Sequence, residues 1–152
     1  AYQRAKTVTN RGLYFDLVSL YEKARDKYQY PSTPSVSHYF ALDYQLDQML
    51  AEGLDNRYAR HLEMAEFTRD WARRYFAVFP DARYLSNTLT TVTNTRGVSV
   101  AELNAELGKR GLAISNGYGD LKEKTFRIAH MADCTLSDIK EVTGAIVEIL
   151  GL

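Results

Sequence analysis

Three short segments of this 152-residue chain carry side chains whose types and spacing could do chemistry. In Phe126-Arg127-Ile128-Ala129-His130-Met131 an arginine interrupts an apolar run that reads as a strand. A guanidinium is costly to desolvate and needs a partner, and its planar fork matches a carboxylate through two parallel hydrogen bonds. A bound carboxylate ligand, an Asp or Glu of the fold, or an outward-facing strand position would each answer that need. In Tyr30-Pro31-Ser32-Thr33-Pro34 a phenol and a hydroxyl precede a helix expected from about Ser37, whose positive end favours an anion. A plain helix–helix connector with an N-cap accounts for the same residues. Asn116-Gly117-Tyr118-Gly119 stands ahead of Lys122 and Lys124. Its glycines would let the backbone approach a ligand, but Asn-Gly is also a common turn, and neither the Walker nor the dinucleotide spacing fits.

The remaining reactive side chains point to packing. His38, His61 and His130 have no metal-ligand spacing, and with Cys134 as the single cysteine no metal site is expected. Cys134 reads as a packed or helix-start residue rather than a nucleophile. Trp71, Tyr75 and Phe76 read as helix packing, and the charges between Asp55 and Arg74 as a solvated helix face. Nineteen basic residues balance nineteen acidic ones, which removes the electrostatic footprint of a nucleic-acid binder. No apolar run approaches the ~20 residues of a membrane span, and the first six residues lack the apolar core of a secretory signal. One cysteine suits a reducing compartment, so a cytoplasmic location is expected.

The elements that must position these residues follow from periodicity. Apolar residues Tyr14, Leu17, Val18, Tyr21 and Ala24 predict an amphipathic helix over 13–27, ended by the two prolines beyond it. A second helix over 37–52 should bury Tyr39, Leu42, Leu46, Met49 and Leu50 and stop at Gly53. Asp55 should cap a third, running to about Phe79, with Tyr58, Leu62, Ala65, Ala72 and Phe76 inward. Thr and Val density predicts a strand over 88–94. Ser99 and Glu102 have capping-box spacing for a helix that buries Val100, Leu103 and Leu107 and stops at Gly111. Strands over 112–115 and 125–130 flank the glycine-bearing loop. Thr135 and Asp138 open a last helix, with Ile139, Val142, Ile146, Ile149 and Leu150 buried. The order predicts an α+β fold, a small antiparallel or mixed sheet covered by helices. Long helices before the sheet suggest a piece of something larger.

Taken in order, these segments resemble class V aminotransferases of fold type I, nearest the alanine/serine–glyoxylate branch. The marks run from Tyr14-Phe15-Asp16-Leu17 through Tyr30-Pro31-Ser32-Thr33-Pro34, Phe40-Ala41-Leu42, Glu52-Gly53-Leu54-Asp55-Asn56-Arg57 and Arg60-His61. They continue with Asn116-Gly117-Tyr118-Gly119 and Lys124-Thr125-Phe126-Arg127-Ile128-Ala129-His130-Met131. Relatives often carry Gly where Asn116 and Ala129 stand.

The resemblance implies a pyridoxal 5'-phosphate enzyme that moves an amino group between a small amino acid (serine, alanine or aspartate class) and a 2-oxo acid. It implies a homodimer, with no nucleic-acid or membrane partner. Residues 1–35 would lead out of a large domain, and 36–152 would form the C-terminal small domain. Arg127 maps onto the family's substrate-carboxylate ligand. Tyr30 and Thr33 map onto a pair that reaches the partner subunit's cofactor phosphate. The family's catalytic lysine matches nothing in this chain, since Arg4-Ala5-Lys6-Thr7 lacks its serine-rich surroundings. The chain by itself is therefore expected to be inactive. A stand-alone binding or dimerisation module with the same small-domain fold is the alternative.

Overall fold

The computed structural model describes residues 1–152, which divide into two compact units, Ala1–Gln48 and Met49–Leu152. In the first unit, α1 (Tyr2–Lys6) packs on α2 (Leu17–Lys27). The Tyr2 and Tyr21 rings lie 4.7 Å apart, and the Tyr2 hydroxyl donates to Glu22 at 2.7 Å. α2 starts four residues later than its apolar pattern predicts because Asp16 is its N-cap. The Asp16 carboxylate accepts from the Val18 and Ser19 amides and is held by Arg11 Nε at 2.7 Å. That cap leaves Leu13, Tyr14 and Phe15 outside the helix and exposed. Tyr28, with φ 52, turns the chain out of α2.

α3 (Val36–Glu52) begins and ends where its pattern predicts, and Gly53 follows with φ +81. The face expected to be buried is not. Tyr39, Leu42, Leu46 and Leu50 are all exposed and Met49 is half-buried. Apolar spacing marks a face able to pack, but only a partner element buries it.

The second unit is a four-stranded antiparallel sheet with three helices on one face. The strands are β1 (Ala77–Val78), β2 (Leu89–Thr93), β3 (Ser115–Asn116) and β4 (Thr125–Ala129), in the order β1-β2-β4-β3. Side chains alternate across the sheet. Thr90 and Val92 of β2 pair with Ile128 and Phe126 of β4, and all four point into the core. There they meet α4 (Leu54–Tyr75), α5 (Val100–Gly108) and α6 (Leu136–Leu150), through Met64, Trp71, Leu103, Leu107, Ile139 and Ile146 among others. The other row, Leu89, Thr91 and Thr93 opposite Ala129, Arg127 and Thr125, lies on the face the helices leave open.

α5 and α6 follow their capping signals. Ser99 Oγ accepts from the Glu102 amide, and Thr135 and Asp138 form a reciprocal capping box. α5 closes at Gly108, with the positive-φ turn at Gly111. Ile139, Val142 and Ile146 are buried, while Ile149 and Leu150 are half-buried. β3 is shorter and later than expected because the Ile114 amide is taken by the Asn104 side chain at 2.9 Å rather than by a strand.

α4 departs further from its prediction. Gly53, not Asp55, is its N-cap, and it ends at Tyr75, because Ala77 and Val78 pair with Thr93 and Val92 as an edge strand. Its buried side carries Arg57, His61, Met64, Thr68, Arg69 and Trp71, while Tyr58 and Leu62 are exposed. The expectation of a wholly solvated charged face therefore fails for Arg57 and Arg69, which are 7% and 8% exposed. Both have partners: Arg57 meets Glu52 and Asp133, and Arg69 meets the Ser86 carbonyl and the Asn87 side chain. No helix is long and apolar enough to cross a membrane.

Candidate functional site

Arg127 occupies the third position of β4, with Thr91 opposite on β2 and Ser115 opposite on β3. The register therefore puts a half-buried guanidinium between two hydroxyl-bearing residues on the open face. Its Nη2 donates to the Asn116 carbonyl at 3.1 Å, and its Cζ lies 4.2 Å from the centre of the Tyr118 ring. Its Nε is buried and has no acceptor. None of the chain's ion pairs includes Arg127. A buried N–H without a protein partner is uncommon, Trp71 Nε1 being the other in this chain, and such a group is met by ordered water, by strain or by a ligand.

The loop that covers this arginine is held from both ends. A Cβ on Gly117 would fall 2.1 Å from the Leu121 carbonyl oxygen and 2.6 Å from Thr125 Oγ1. The glycine in Asn-Gly thus serves close backbone packing within the loop. Asn116 accepts from the Glu123 amide at 2.9 Å and donates to the Glu123 carboxylate. That carboxylate also accepts from the Val100 amide at 2.6 Å, at the first turn of α5. This backbone hydrogen bond, followed by the Asn116 contact, holds the Glu123 carboxyl below the usual carboxylate range. Asn94 closes the network by donating to the Glu123 and Val98 carbonyls at 2.7 and 2.8 Å. Sequence reasoning saw the turn and missed the anchor, because a glutamate at φ 62 carries no local signal for it.

The far end of β4 is tied down by buried polar groups. His130 is fully buried; its Nδ1 donates to the Asn87 carbonyl at 3.2 Å, leaving Nε2 to accept from Thr90 at 2.8 Å. Burial pushes its pKa below the usual histidine value. Arg60 reaches the Ala132 and Cys134 carbonyls and pairs with Glu52 at 2.7 Å. Cys134 is a half-buried free thiol. The Arg60 hydrogen bond, then that of Arg57, pulls the Glu52 carboxyl down to about 2. Because the folded value lies below the ordinary 4.5, Glu52 adds stability above that pH and loses it as pH falls towards about 2. Thermal melts of the intact protein and its Glu52→Gln variant should differ at neutral pH, and the gap should close between pH 4.5 and about 2. A gap independent of pH would remove Glu52 as the acid-sensitive tie.

Tyr30 and Thr33 lie in the first unit, in the exposed connector between α2 and α3. Neither hydroxyl has a partner within the chain, whereas Ser35 Oγ is engaged with His38 Nδ1 at 2.6 Å. His61 donates through Nδ1 to the Arg57 carbonyl, so the histidines on α3 and α4 have local partners of their own.

No family model matches the chain. An uncharacterised aminotransferase of Methanocaldococcus jannaschii is 34% identical over 125 residues, 81% of this chain and 32% of that protein. The soluble hydrogenase small subunit of a Synechococcus species is 30% identical over 151 residues, 99% of this chain and 39% of that protein. Serine–glyoxylate and L-aspartate–glyoxylate aminotransferases are further relatives. Pyridoxamine–pyruvate aminotransferase from Mesorhizobium loti has a similar structure, with TM-score 0.80 at 27% identity over 99% of this chain and 41% of that one. The chain thus spans about a third to two-fifths of the length of the relatives it matches. By sequence and by fold the chain is similar to one portion of the class V, fold type I pyridoxal-phosphate-dependent aminotransferases.

Proposed function

We propose that this chain is the C-terminal portion of an aminotransferase that moves an amino group between a small amino acid and a 2-oxo acid, and that Arg127 grips the substrate carboxylate. The observation that carries the reading is the buried Arg127 Nε with no acceptor, on a guanidinium that no acid of the chain neutralises. Nε and a neighbouring terminal nitrogen present the side-on fork that a carboxylate accepts from in two parallel hydrogen bonds. The names of the glyoxylate-using relatives support a small donor of the serine or aspartate class with glyoxylate as acceptor, and alanine as donor and pyruvate as acceptor fit the same carboxylate grip.

In this reading residues 1–35 lead out of a large domain and 36–152 form the small one, with the lysine that binds pyridoxal phosphate elsewhere in the protein. The unpartnered hydroxyls of Tyr30 and Thr33 suit a phosphate, here that of the partner subunit's cofactor in a homodimer. The exposed apolar residues of α3 support such an assembly, since apolar patches of this kind mark contact surfaces. The single thiol suits a reducing compartment such as the cytoplasm.

Pyridoxal phosphate, when bound, supplies the electron sink that lets the substrate amino group be moved. The part of this chain is positional. Arg127 fixes one end of the substrate, so the bond to its α-hydrogen adopts one orientation rather than many. The guanidinium also selects against amines without a carboxylate, which would leave a half-buried cation, with its buried Nε, unpaired. The intact protein, loaded with its cofactor, should transfer the amino group of alanine or serine to glyoxylate or pyruvate. Ethylamine, which is alanine without its carboxylate, should not serve as donor. Equal turnover of alanine and ethylamine, or no turnover of any small amino acid, would overturn the reading.

A further inference from the structure

We propose that Tyr118 is a positioning residue that holds the Arg127 guanidinium in its carboxylate-binding orientation, an inference that rests on the reading of Arg127 given above. An arginine on a sheet face has several flexible torsions, and ordering it costs rotamer entropy when a ligand arrives. Here two contacts order it in advance. The Asn116 carbonyl holds Nη2 at 3.1 Å, and the guanidinium lies over the Tyr118 ring with Cζ 4.2 Å from the ring centre. The edge carrying Nε is left without a partner inside the chain.

Core packing does not explain why Tyr118 sits there. It is 77% exposed, and its hydroxyl has no partner in the chain, so neither burial nor a hydrogen bond sets its place. The backbone beneath it is fixed by other residues: Gly117 packs against the Leu121 carbonyl, and Asn116 is locked to Glu123. A well-anchored loop thus carries an exposed aromatic ring whose close partner is the arginine. The attraction between a guanidinium and an aromatic face needs the ring and not the hydroxyl. Removing the ring should therefore leave the loop standing and free the guanidinium to reorient.

The test uses the intact protein with its cofactor, and propionate, the alanine skeleton without an amino group, as an unreactive carboxylate probe. Tyr118→Ala should weaken propionate binding and raise KM for alanine by roughly 3- to 30-fold, the range that a partly desolvated cation–aromatic contact implies. kcat should change by less than about twofold, because the residue touches no reacting atom. Tyr118→Phe should restore both values to within about threefold of wild type. The Arg127 Nε–Hε resonance, measured by NMR, should carry a ring-current shift in wild type and Tyr118→Phe that is absent in Tyr118→Ala. Wild-type propionate affinity in Tyr118→Ala, or equal damage from Phe and Ala, would overturn the proposal. Arg127→Gln separates the two readings. If it leaves propionate binding intact, the carboxylate site itself has been misplaced. If it abolishes binding while Tyr118→Ala changes nothing, only the positioning role falls.

Discussion

Lysine in place of Arg127 in the intact protein should lower kcat/KM for small amino-acid donors about 100-fold, mostly through KM, a loss of about 3 kcal/mol in binding the reacting substrate. A lysine keeps the charge but offers a point donor instead of a planar fork, so the two parallel hydrogen bonds to a carboxylate cannot both form. The same change should leave the fold nearly undisturbed. Arg127 makes one hydrogen bond, to the Asn116 carbonyl, and leaves no acid unpaired when it goes. Steady-state kinetics with alanine or serine, beside a thermal melt of each protein, separates the outcomes. Unchanged donor kinetics would take Arg127 out of the site, and a large fall in melting temperature with KM intact would make it structural. Arg57 offers the contrast. It is buried against Glu52 and Asp133, so its loss would remove one of the two arginines that hold Glu52 and empty a packed position.

Gly117→Ala should destabilise the second unit by roughly 2–4 kcal/mol, a large effect for one methyl group. The added Cβ would meet the Leu121 carbonyl at 2.1 Å, which is backbone and cannot rotate aside. The 116–124 loop would have to shift as a body, moving both the Asn116 carbonyl and the Tyr118 ring off Arg127. Weaker propionate binding should therefore accompany the lower stability. Gly144, in α6, is the control: a Cβ there meets nothing within 4 Å and the backbone is helical, so Gly144→Ala should be neutral or stabilise by about 0.5–1 kcal/mol. Denaturation of both variants, followed by a second-unit probe such as Trp71 fluorescence, decides the point. An unperturbed Gly117→Ala protein would mean that the loop is looser than its contacts indicate.

Much of the second unit could be read from local chemistry. Ser99 and Thr135 announce α5 and α6 through their spacing to Glu102 and Asp138, and the Thr-rich run announces β2, because these signals act within a few residues. The family and its fold were likewise carried by short segments in order. What stayed hidden was set by partners distant in sequence. Arg57 and Arg69 read as solvated until Asp133 and Asn87 are seen beside them. The stripe on α3 reads as buried until its surroundings are seen to lack a covering element. At the proposed site, Arg127 stood out by type, and its need for a partner could be argued from desolvation alone. The roles of Gly117, Tyr118 and Glu123 could not, since they depend on the strand register that sets Ser115 against Arg127 and on a loop closing back over the sheet.

The most direct measurement is a crystal structure of the intact, cofactor-loaded protein with propionate bound. Both carboxylate oxygens should lie within about 3.2 Å of Arg127 nitrogens, one of them accepting from Nε, with the Tyr118 ring still against the guanidinium. A carboxylate held by another cation, with Arg127 Nε still unpartnered, would contradict the account.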